Sequence, residues 1–107
     1  MIGKPKESDW KVYRNLVPQL RERYLKEKNE VLATRLKALG KTETERFWDA
    51  FEQMKKEKKV LESCLDDFSR SNMFFSMTLM LKCGMLKKED LNVFSKELQS
   101  ELSAFVG

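Results

Sequence analysis

Four carboxylates have spacings that could do chemistry. Glu27 and Glu30 stand three residues apart, and Glu45 and Asp49 stand four apart. Either spacing puts both acids of a pair on one side of a helix. Paired acids of that kind can hold Mg²⁺ against the phosphates of a substrate. The other reactive groups are Cys64 and Cys83. The chain has no His, so the commonest general base and zinc ligand is missing. A nucleophilic Cys therefore lacks its usual base, and a di-iron bundle lacks its Glu-x-x-His ligands. Two Cys are too few for a disulfide framework. Both fall on apolar stripes, so both read as buried free thiols suited to a reducing cytoplasm.

The order Glu27-Lys-Asn-Glu30 and then Glu45-Arg-Phe-Trp-Asp49 resembles the magnesium site of the all-α nucleotide pyrophosphatases, the MazG-like family. The resemblance is confined to these two segments, and the second is one residue longer than that family's. It implies an enzyme that releases pyrophosphate from nucleotides, with these four acids around the ion. Glu43 and Glu45 also read as capping acids of a helix.

Charge suggests another activity. Residues 1–60 carry 16 basic against 10 acidic side chains, and residues 61–107 carry 5 against 7. Arg14, Arg21, Arg23 and Lys26, with Lys11, Lys28, Trp10 and Tyr13 nearby, could hold a single-stranded nucleic acid by charge and stacking. Acids are interleaved among them, which dilutes the field, and the rings lie on an apolar stripe. Ser76–Ser95 fits a helix-turn-helix loosely. Met80 and Asp90 break its pattern, and its second helix is acidic, which phosphates repel.

The elements that must position these groups are helices. A chain of 107 residues with 36% charged residues, 4 Gly and 2 Pro is one domain of long solvated helices. Residues 1–7 read as a disordered start and 8–107 as a single helical-bundle domain. The first helix spans roughly 9–39, capped at Ser8 and kinked or restarted near Pro18. Its stripe runs Trp10, Tyr13, Leu16, Val17, Leu20, Tyr24, Val31, Leu32, Leu36 and Leu39, with Glu27 and Lys28 interrupting it. Gly40 stops it. The second spans 43–69 behind a Thr42–Glu45 cap. Its positions 47, 51, 54, 58, 61, 65 and 68 form a heptad seam with Lys58 as the one polar member. The third, 72–83, is apolar nearly all round and stops at Gly84, so it belongs at a bundle centre or an interface. The fourth spans 88–104 along Leu91, Phe94, Leu98, Leu102 and Phe105.

The fold class is therefore all-α, a compact bundle of about four helices. The longest apolar stretch, Met73–Leu81, is far short of the ~20 residues of a membrane span. No secretory leader, membrane contact or cofactor is expected. The apolar inventory exceeds what a monomer of this size covers, which favours a twofold dimer. The expected function is a small, non-catalytic, cytoplasmic protein-interaction or regulatory adaptor that self-associates. Its contacts would come from Phe51, Met54, Lys58 and Leu61 on the seam and from Met73, Phe74, Met77 and Met80. Nucleic-acid binding by helix one and the pyrophosphatase reading are the alternatives.

Overall fold

The computed structural model describes residues 5–105. Among them are four α-helices and no strand: α1 Glu7–Leu36, α2 Glu43–Leu65, α3 Met73–Cys83 and α4 Lys96–Leu102. No helix among the described residues is long and apolar enough to cross a membrane. The all-α bundle is as expected, and its long axis is set by one hairpin. The 30 residues of α1 and the 23 of α2 pair along a molecule of 52 × 23 × 23 Å.

α1 begins two residues earlier than expected and ends at Leu36, three residues short of the expected 39. Lys6, not Ser8, is the capping residue, and its side chain makes no capping hydrogen bond. Glu7 and Asp9 supply the favourable acids of the first turn instead. Of the segment 1–7 expected to be disordered, residues 1–4 lie outside the described residues. Pro5 is held, its carbonyl accepting hydrogen bonds from Arg70 Nε at 3.0 Å and Nη2 at 2.5 Å. There is no restart at Pro18. The helix runs through it, because Pro18 faces solvent while Tyr13, Val17, Leu20 and Tyr24 are buried on either side of it. Packing on both flanks outweighs the one lost backbone donor.

α2 starts as expected. Thr42 Oγ1 accepts from the Glu45 amide at 3.1 Å, and Glu45 Oε1 accepts from the Thr42 amide at 2.9 Å. It ends at Leu65, short of residue 69. Phe68 then turns back as a free-standing ring, edge-on to Trp10 at 5.4 Å and to Tyr13 at 5.6 Å. α3 has the expected bounds, and Gly84 ends it in the left-handed region with φ 85°.

The expected helix 88–104 is not one helix. Lys88–Val93 is a 3₁₀ segment, Phe94 is extended, α4 follows, and Ser103–Phe105 is again 3₁₀. Two long-range anchors impose the break. Asp90 is held by Arg23, and Ser95 is held by Asp9. The apolar stripe survives the break, with Leu91, Phe94, Leu98 and Leu102 all buried.

The core sits at one end of the hairpin. It joins the first half of α1 and the second half of α2 to α3, the Met85–Leu86 turn and the C-terminal stripe. Met73, Met77, Met80, Met85, Leu86 and Leu102 are completely closed off. The other half of the hairpin carries no third layer.

Candidate functional site

That uncovered half of the hairpin carries most of the exposed large apolar side chains among the described residues, Phe75 and Val93 lying elsewhere. On α2, Phe47 is 58% exposed, Trp48 53%, Phe51 41% and Met54 56%. Leu36 and Leu39 at the end of α1 and the following turn are exposed too, Leu39 almost wholly. The three rings form a ladder. Phe47 and Trp48 meet edge-on at 5.0 Å, and Trp48 and Phe51 at 5.6 Å. Lys55 Nζ lies 5.6 Å from the Phe51 ring centre, a cation–π contact at the rim.

The local structure holds this stripe still. The cap at Thr42 fixes where α2 begins. Hydrogen bonding to the Thr42 backbone amide, then to its hydroxyl, keeps the Glu45 carboxyl below its ordinary range. Arg46 Nε donates to the Ala38 carbonyl at 2.8 Å, and Lys41 pairs with Asp49 at 2.5 Å. Gly40 takes the left-handed conformation, φ 75°, that the tight return requires.

The apolar seam of α2 is not the face that α2 buries. The buried residues are Ala50, Glu57 and Cys64, with Arg46, Gln53 and Val60 half-buried on the same line. This line lies one residue, about 100°, behind the seam. Glu57 fits there because Tyr24 Oη donates to its Oε1 and Gln53 Nε2 donates to its Oε2 at 2.5 Å. Burial and that carboxylate together raise the Tyr24 phenol above its ordinary value. So the intramolecular contact uses small and hydrogen-bonded residues, and the aromatic seam is left over. Leu61 and Leu65, farther along it, are half-buried against the core. Lys58 is exposed and lies 3.9 Å from Glu62.

The α3 set is placed differently from its expectation as a contact surface. Met73, Met77 and Met80 have no exposed surface. Phe74 is half-buried, its ring edge-on to Phe105 at 6.0 Å. They are core because α3 is covered by α2 on one side and by the C-terminal stripe on another.

Arg14, Arg21, Arg23 and Lys26 do not all share one face of α1. Arg14 stacks over Trp10 at 5.5 Å, and Arg21 lies 3.5 Å from Glu22. Arg23 turns inward, donating to both Asp90 oxygens at 3.1 and 2.6 Å and to the Met85 carbonyl at 3.0 Å. Lys26 borders a shallow hollow with Glu22 and Glu30. Among the described residues, no three acids or Cys gather as a metal could require. Glu27 pairs with Lys87 at 3.3 Å, Glu45 is spent on the cap and Asp49 on Lys41. The four carboxylates of the pyrophosphatase-like pattern therefore do not form one site. Lys28, which interrupts the α1 stripe, lies over the Tyr24 ring at 5.1 Å.

One pair was missed by sequence reasoning. Cys64 Sγ and Cys83 Sγ are 3.9 Å apart across the α2–α3 contact. Nineteen residues separate them in the chain, and no local spacing signals the pairing. Comparison with family models, with curated proteins and with solved structures finds no match.

Proposed function

We propose that this chain is a non-catalytic protein-interaction adaptor that self-associates through the aromatic stripe of α2. The observation that carries the reading is the mismatch on that helix. Its heptad seam, Phe47–Phe51–Met54, is exposed, while the hairpin packs through the neighbouring line. Rings of about 200 Å² each, half exposed, leave an apolar patch of several hundred Å² once Met54, Leu36 and Leu39 are added. Monomers rarely leave a contiguous patch of that size uncovered.

The occupant we assign is a second copy. A seam of this spacing is matched by a helix of the same spacing, and a twofold contact presents each seam to itself. Antiparallel pairing centred on Phe51 completes a four-helix layer at the open end of the hairpin. Lys58 then lies level with Thr44 of the second copy, one residue from an acid at position 43. That gives Lys58 a part in setting register, as a polar seam residue does.

Light scattering after gel filtration, at low and high salt, tests this. Expected is a dimer indifferent to salt, converted to a monomer by Phe51→Asp while helicity is kept. Lys58→Glu is expected to weaken the dimer at low salt only. A wild-type monomer at every concentration overturns the reading. So does a monomer that carries nucleic acid until salt strips it off, since that is the behaviour of a basic face.

A further inference from the structure

The thiols of Cys64 and Cys83 stand 3.9 Å apart, against about 2.05 Å in a disulfide. Cys64 is buried on α2, and Cys83 is the half-buried last residue of α3. Both border a cleft of about 310 Å³ that Lys59 and Lys82 also line, with Val60 and Leu79 as its apolar wall. A small oxidant can therefore reach the pair through this cleft.

We propose that Cys64 and Cys83 form an oxidation-sensitive dithiol in which Cys83 reacts with a hydroperoxide and Cys64 resolves the product to a disulfide joining α2 to α3. Cys83 is the more accessible thiol, half-buried at the end of α3, while Cys64 is 3% exposed. The two thiols share a hydrogen bond, and with Cys64 as its donor the Cys83 ionisation is drawn below the ordinary thiol range despite partial burial. The same bond, then burial, pushes Cys64 up. Against this, the Cys83 thiol donates to the Met80 carbonyl at 3.5 Å, a contact that favours the protonated form.

The steps balance. The Cys83 thiolate attacks one peroxide oxygen, the O–O bond breaks, and the departing hydroxide takes up the thiol proton as water. Cys83 is then a sulfenic acid. The Cys64 sulfur attacks the Cys83 sulfur, the S–O bond breaks, and the hydroxyl leaves as a second water with the Cys64 proton. Two thiols have given two electrons to the peroxide. The disulfide lies on α2 beyond the aromatic stripe, so this inference is independent of self-association.

The test is stoichiometric hydrogen peroxide on the reduced full chain, with and without dimedone, read by intact mass and non-reducing peptide mapping. Expected in the wild type is loss of two hydrogens per chain and a Cys64–Cys83 linked peptide, reversed by a thiol reductant. Expected in Cys64→Ser is a dimedone adduct on Cys83. In Cys83→Ser, adduct formation is expected to be slower by about tenfold or more. An unchanged mass, a disulfide between two chains, or equally fast adduct formation at Cys64 overturns the proposal. Should either variant lose its helical circular dichroism, the wild-type linkage alone decides.

Discussion

At the residue scale, a few buried polar anchors organise the chain. Asp9 is the clearest. It is 4% exposed and accepts from the Ser95 amide at 2.8 Å and the Ser95 hydroxyl at 2.7 Å, across 86 residues. Its sequence signature is only that of an acid in a first helical turn. Asp9→Ala removes both acceptors and leaves the half-buried Ser95 amide without this partner. We expect a loss of about 1–3 kcal/mol in denaturant unfolding. Asp90 gives a pH signature. The Arg23 guanidinium holds its carboxyl below the usual carboxylate range, and the Lys87 amide adds to this. A carboxyl whose folded pKa is depressed contributes fully above its unfolded pKa, about 4, and loses that contribution as pH falls through the folded value. The urea midpoint is therefore expected to fall on acidification from pH ~5 downward. Asp90→Asn is expected to flatten that dependence and to lower the midpoint at neutral pH.

At the element scale, the start of α2 and the end of α3 were legible, while the ends of α1, the end of α2 and the continuity of the last helix were not. Thr42 with Glu45, and Gly84 after Cys83, are local signals whose partners lie within a few residues, so the chain itself reveals them. Thr42→Ala is expected to cost about 1 kcal/mol, seen as a lower melting midpoint and faster amide exchange over the first turn of α2. Gly84→Ala places a Cβ at φ 85°, where space is open but the backbone is strained, and is expected to cost about 1 kcal/mol. By contrast, the stripe from Leu91 to Leu102 marked core membership correctly and still did not make one helix. Periodicity reports which side chains are apolar. It does not register that Arg23 and Asp9, both on α1, pin the segment at two points that a continuous helix does not satisfy. Pro18 is the converse case. A local breaker was overruled by burial on both sides of it.

At the scale of the whole molecule, the apolar surface divides into a part the chain covers and a part it does not. The core end covers Met73, Met77 and Met80, which hold the fold together, while Phe75 on the same helix stays exposed. The hairpin end leaves Phe47, Trp48, Phe51 and Met54 in water. If that stripe closes against a second copy, the melting midpoint rises with protein concentration, because the dimer is linked to the folded state by mass action. Differential scanning calorimetry over a hundredfold concentration range is expected to show it for the wild type and not for Phe51→Asp. A concentration-independent midpoint for both would leave the stripe without a self-partner.

The sequence by itself determined what depends on near neighbours. The all-α class, the Thr42 cap of α2, the stop of α3 at Gly84 and the apolar seam of α2 all follow from residues within a turn or two of one another. The tertiary structure decided which of two adjacent lines on α2 faces the hairpin partner. It chose Ala50, Glu57 and Cys64, because small side chains let the helices approach and Tyr24 supplies the donor that Glu57 needs. It also decided that Arg23 is an internal clamp, that the four carboxylates stay apart, and that Cys64 meets Cys83. Each of these is a contact between distant positions. Such contacts depend on how whole faces compete for burial, which no spacing along a single chain records.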